Sequence, residues 1–195
     1  MVAAPNYPLS QMDAPGGNTV SDVGNQAGDA AFVLDQVLAL TKGPGPLRGL
    51  VDPKRVAAAG HSLGAITTYN LAYKTCCADP RIRAVAIMSG VAGAPPDYFE
   101  SIHTPLLVLH GDADRTIPIG NAIDAFARAN PPKYYVTLIG GLHSEPYRGA
   151  EDAVANAATR ITLDFFDRYL KGDEAGLTRL HRDAIAGVAL LQEDP

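Results

Sequence analysis

Cysteine is scarce in this chain: two of 195 residues, and those two are neighbours, Cys76 and Cys77. Adjacent cysteines rarely meet disulfide geometry, and the pair is not the C-x-x-C of a metal or redox site. They read as two half-buried thiols at a helix end, and they assign no redox compartment. Long apolar runs are lacking as well. None approaches the ~20 residues that a membrane-spanning helix needs. No cluster of lysine or arginine marks a nucleic-acid surface, and the net charge of -5 is mild and dispersed. The residues after Met1, VAAPNYP, carry neither the basic residues nor the long apolar core of a secretory signal. There is no H-E-x-x-H and no phosphate-binding P-loop, and no metal or organic cofactor is expected. Repeats, low-complexity runs and internal linkers are absent too. This length and composition fit one domain over residues 1–195 with a sizeable core.

What is present alternates between two periodicities. MVAAPNYP reads as a short apolar strand stopped by prolines, and DAPGGNT as a loop. From Ser21 to Leu40 the period is helical, with Val23, Ala27, Ala30, Leu34, Val37 and Leu38 on one stripe and Thr19 or Ser21 as the cap. RVAAAG then reads as a buried strand, and Ala65 to Lys74 as a helix. IRAVAIMSG, PLLVLHG and KYYVTLIGG are further strands, and VAGAPPDYFE a loop with one helical turn. Ile119 to Asn130 is helical until Pro131 ends it, and Glu151 to Leu170 is a long helix with Gly172 just past its end. The tail from Asp173 fits neither pattern clearly. Strands alternating with helices predict an α/β fold, a mostly parallel sheet covered on both faces. In such sheets, sites form at the carboxyl ends of the strands.

Ser62 meets that rule. It follows RVAAAG, precedes a helix, and sits in Gly60-His61-Ser62-Leu63-Gly64, a G-x-S-x-G pattern. A sharp strand-to-helix turn needs small neighbours and exposes the hydroxyl at a helix N-terminus. The alternative is that Ser62 only caps the helix after it. A serine nucleophile needs a base, usually a histidine oriented by a carboxylate. Five histidines compete. His61 lies inside the turn with its side chain expected to point away from the line of attack. His103 precedes a strand, and His181 lies in the tail. His110 ends a strand and is expected to pack or hydrogen-bond locally. His143, in GGLHSEPY directly after a strand, is the candidate base. For the acid, PLLVLHGDADRTIP offers Asp112 and Asp114. Asp114 is farther into the loop and freer to reach a histidine, while Asp112 is placed to tie down the turn.

GHSLG, HGDADRTIP and GGLHS together resemble the α/β-hydrolase superfamily. Within it they are similar to the small bacterial serine esterases related to dienelactone hydrolases, chlorophyllases and the platelet-activating-factor acetylhydrolase-like group. That family often shows H-G-x-x-D-x-x-V-P, which His110 to Pro118 match with Ile117 in place of valine. The resemblance implies an α/β-hydrolase fold and the chain order Ser62, Asp114, His143 as nucleophile, acid and base. It places one oxyanion-hole donor on the N–H of Leu63. It also implies three strands and a helix upstream of VAAPNYP, with the loop after the third strand carrying an HG-type motif and the second donor. On that reading the chain is an N-terminally truncated piece of a longer protein with a gap in its sheet. Losing one oxyanion donor costs roughly 100- to 1,000-fold in turnover. Val91 to Thr104 is too short for a cap domain, so the site is expected to be open, with Tyr7, Tyr98 and Tyr147 as rim contacts or ordinary packing.

The expected function is hydrolysis of small-molecule or lipid-like carboxylic esters. Two other readings stand beside it: a peptidase or acyltransferase using the same three residues, and a catalytically impaired fragment or non-catalytic protein.

Overall fold

The computed structural model describes every residue except Met12, Asn18 and Ala150. Five strands form one sheet in the order β1-β2-β3-β4-β5: β1 Val56–His61, β2 Ile82–Met88, β3 Leu106–Gly111, β4 Lys133–Leu138 and β5 Ala189–Asp194. The first four are parallel, and β5 pairs with β4 antiparallel. Helix α1 (Val23–Lys42) precedes the sheet, and α2 (Leu63–Tyr73), α3 (Gly120–Arg128), α4 (Ala153–Phe166) and α5 (Ala175–Asp183) lie between or after its strands. No described helix is long and apolar enough to cross a membrane.

The alternation of side chains along each strand sorts the core into two layers. Val85, Ile87, Leu106, Val108 and Tyr135 face α2 and α3, with Tyr69, Tyr73 and Phe99 filling that side. Ala84, Ala86, Leu107, Leu109, Tyr134, Val136 and Leu138 face α4 and α5, against Ile161, Phe165 and Leu180. Each such fully buried Leu, Ile or Phe contributes about 1.5–3 kcal/mol relative to exposure. Strands β2, β3 and β4 are apolar at nearly every position because both of their faces are covered.

The structure departs from the sequence expectations at several points. MVAAPNYP is not a strand; residues 1–7 carry no regular structure. β1 is therefore the edge of the sheet, and it is half-buried, with Ala59 exposed, rather than buried. The expected interior gap does not form, since nothing pairs beyond β1 among the described residues. Helix α1 begins at Val23 with Asp22 in the cap position and no side-chain cap bond; the hydroxyls of Thr19 and Ser21, the expected caps, bond each other at 2.7 Å. VAGAPPDYFE contains turns but no helix. Helix α4 is shorter than its pattern and continues as a π-helical turn over Asp167–Lys171, which Gly172 ends in the left-handed region. The undecided tail becomes α5 and β5. Arg179 holds α5 to α4 by donating Nε to Asp164 at 2.6 Å. Cys76 and Cys77 are exposed in the turn after α2 and are joined as a disulfide, where half-buried free thiols were expected.

Candidate active site

Three loops meet at the carboxyl end of the parallel strands. Ser62 stands between β1 and α2 at φ 54, ψ -117, a conformation that a non-glycine residue adopts only where the surroundings impose it. They do so here by close packing. A Cβ on Gly60 would lie 2.1 Å from the carbonyl oxygen of Gly64 and 2.5 Å from Oγ1 of Thr68. The first turn of α2 is thus pressed onto the end of β1, and only glycine fits between them. Gly64, by contrast, has open space where a Cβ would go, so its smallness is not what makes the turn.

Ser62 does not cap α2 through its side chain. Its hydroxyl meets Nε2 of His143 at 2.9 Å, and Nδ1 of His143 donates to Asp114 at 2.8 Å. The other carboxylate oxygen of Asp114 accepts the N–H groups of Thr116 and Ile117 at 2.8 and 2.9 Å. Burial alone would raise the Asp114 carboxyl. The bonds from His143, Ile117 and Thr116 outweigh it and hold the group below the ordinary carboxylate range. Asp112 does the other task foreseen for it: its carboxylate accepts the N–H of Gly140 at 2.6 Å and ties the β3 loop to the β4 loop. That leaves Asp114 as the carboxylate on His143.

A scan against protein-family models and a search of curated proteins return no match.

The remaining candidates divide. The N–H of Leu63 makes no hydrogen bond among the described residues and opens at the N-terminus of α2, beside Ser62. Tyr7 lines a cavity of about 200 Å³ together with Leu63, Gly64 and Gln26. Tyr147 turns its hydroxyl inward to the carbonyl of Leu109 at 3.1 Å, and burial pushes that phenol well above its ordinary pKa. Its ring supports His61, with centroids 5.2 Å apart, so it is packing rather than a free rim hydroxyl. Tyr98 is not at the site. Its hydroxyl bonds Asn70, which stands about 12 Å along α2 from the turn at the helical rise per residue. It is placed there because a half-buried phenol needs a polar partner, and Asn70 supplies one. No group of three or more His, Cys, Asp or Glu placed to hold a metal ion occurs among the described residues.

Two further histidines support the site: His110 hydrogen-bonds locally, as expected, and His61 makes a contact that the sequence reading did not assign. His110 is fully buried at the end of β3; its Nε2 donates to the carbonyl of Ile117 at 2.9 Å and lies 3.3 Å from Asp114. It thereby closes the loop that presents the acid. His61 reaches the backbone of His143, its Nε2 donating to that carbonyl at 2.7 Å, with the two rings 4.9 Å apart. The H-G-x-x-D spacing is a signal for His110, since it brings the imidazole back onto the carboxylate within one turn. For His61 the sequence holds none, because which loop covers that side depends on the fold.

These imidazoles predict a pH dependence of stability. Burial holds both His61 and His110 below their ordinary pKa, although hydrogen bonds to carbonyls oppose it. In the unfolded chain they take up protons as pH falls through about 6.5, while the folded copies, whose pKa is lowered, take up fewer. The unfolded state then binds more protons, so stability is lost as pH falls below that value. Asp114 adds to the loss lower down, its contribution being present above about pH 4 and disappearing as the carboxylate protonates. Urea midpoints at pH 7.5 and 5.5 check the upper step: a lower midpoint is expected at 5.5, with a smaller difference in His110→Gln, which keeps a donor but does not titrate.

Proposed function

We propose that this chain is a serine hydrolase of the α/β-hydrolase fold that cleaves carboxylic esters through an acyl-enzyme on Ser62. The observation that carries the reading is the continuous hydrogen-bonded line from the Ser62 hydroxyl through His143 to Asp114, at 2.9 and 2.8 Å, on a strained turn at the carboxyl end of a parallel sheet.

The steps follow from which atoms hold protons. Asp114 accepts from Nδ1–H, which leaves Nε2 of His143 unprotonated and able to accept. Oγ of Ser62 attacks the ester carbonyl carbon as its proton passes to Nε2. The resulting imidazolium is stabilised by the Asp114 carboxylate, and the oxyanion by the Leu63 N–H at the positive end of α2. His143 then returns the proton to the alkoxide as the carbon–oxygen bond breaks and the alcohol leaves. Water, deprotonated by His143, attacks the acyl group, and Ser62 regains its proton as the acid departs.

Two measurements on the 195-residue chain test this. A fluorophosphonate is expected to attach to Ser62, located by peptide mass spectrometry, and p-nitrophenyl butyrate to be hydrolysed. A folded chain that neither labels at Ser62 nor turns over the ester would sink the reading. Labelling with turnover of an amide but not of an ester would move it to a peptidase.

A further inference from the structure

We infer that His61 is a positioning residue that holds the backbone of His143, through the bond from its Nε2–H to the His143 carbonyl. This rests on the assignment of His143 as the base.

The loop that carries His143 is tied down on both sides of that residue but not at it. Before it, Asp112 accepts the N–H of Gly140, and Gly141 donates to the carbonyl of Leu138 and accepts the N–H of Ala113. After it, Tyr147 bonds back to Ser144. Among the described residues, neither Leu142 nor His143 makes a backbone–backbone hydrogen bond. The contact from His61 at 2.7 Å is therefore the backbone anchor at His143. Because the acceptor is a carbonyl, the nitrogen facing it must carry hydrogen, which fixes the tautomer of His61. The imidazole is held in place in turn. His61 is the last residue of β1, paired in register with Met88, and its ring packs 4.9 Å from that of His143 and 5.2 Å from that of Tyr147.

One strand end thus governs both reacting side chains. Ser62 is set by the turn, and His143 by the residue next to it in sequence. A shift of β1 carries nucleophile and base together, which preserves their separation. The charged and titratable groups facing His61 are His143 and Arg148 from the loop after β4, Tyr147 from the same loop, and Asp114 from the loop after β3.

Three variants of the whole chain test this. His61→Phe keeps the ring and removes the donor. His61→Gln places an amide N–H where Nε2 stands. His61→Asn is too short to reach the carbonyl and replaces the Phe variant should that one fail to fold. The expected result for p-nitrophenyl butyrate is a kcat roughly 10- to 100-fold lower in His61→Phe, in line with about 1 Å of misplacement of a reacting group, with KM changed much less. Most of that loss should return in His61→Gln. The second readout needs no turnover: the low-field proton resonance of His143 Nδ1–H should shift or broaden in His61→Phe and resemble the parent in His61→Gln. A parent chain with this resonance but no hydrolysis would refute the esterase reading while leaving the anchor measurable by the resonance alone. An unmoved resonance with unmoved kcat in His61→Phe, or equal damage in both variants, would overturn the inference.

Discussion

Asp114→Asn is expected to lower kcat for ester hydrolysis by about 10⁴-fold while leaving the chain folded. The size of the effect comes from two N–H groups outside the reaction. Thr116 and Ile117 both donate to one oxygen of Asp114. An asparagine at this position must keep its oxygen on those two donors and so turns its NH₂ group toward His143 and His110. Nδ1 of His143 then faces a donor and must act as acceptor, which moves the imidazole proton to Nε2. In that tautomer Nε2 cannot take the proton from Ser62, whose hydroxyl lies 2.9 Å away. The loss is therefore in kcat, with KM little changed. Steady-state kinetics with p-nitrophenyl butyrate check it, and circular dichroism shows whether the fold is kept. A loss of less than tenfold would mean that the carboxylate does not set the tautomer.

Gly60→Ala is expected to be the most damaging single-methyl change in the first βα unit. The added carbon would lie 2.1 Å from a backbone oxygen of α2 and 2.5 Å from Oγ1 of Thr68, which itself donates to that same oxygen at 2.8 Å. Backbone cannot rotate out of the way as a side-chain end can. Overpacking of this kind costs about 1–3 kcal/mol and occasionally more. For a chain of this length, that lowers Tm by roughly 2–12 °C. Gly64→Ala is the contrast. It meets nothing within 4 Å and gains helix propensity, worth up to about 1 kcal/mol. Thermal unfolding of the pair should therefore move in opposite directions. Equal effects at the two positions would show that glycine is needed at both for backbone freedom rather than at one for space.

The parts of the fold that could be read from the sequence are those whose pattern has a single physical cause. IRAVAIM and LLVLHG are continuous apolar runs because helices cover both faces of their strands. Ser62, Asp114 and His143 could be picked out because each follows such a run, where a parallel sheet places its loops. The features that were not legible depend on neighbours distant in sequence. VAAPNYP has the apolar character of a strand but pairs with no other strand, and composition does not report the absence of a partner. ALLQED in the tail is apolar only in its first half and does not alternate, yet it pairs along its length with β4, which supplies the hydrogen bonds. Tyr98 carries the side chain expected of a rim residue, but Asn70 is near enough to bind its hydroxyl. The second contacts of the site, from His61 and His110, arise where two loops cross, and a local pattern records only one of the two.

The order of the strands has a kinetic consequence. Among the described residues, β1, which leads into Ser62, is the outermost strand and is paired through its backbone on one side only. Asp114 and His143 follow β3 and β4, which are paired on both sides. Edge strands open in local fluctuations that leave the interior of a sheet intact, at a free-energy cost below that of global unfolding. In this chain such an excursion would carry Ser62 away from His143 and break the bond from His61 to the His143 carbonyl. On the proposed serine-hydrolase reading, the arrangement needed for reaction is thus less durable than the fold that houses it. Mild heat or denaturant would silence the molecule while most of its sheet persisted, and recovery would need only one strand to return to its place.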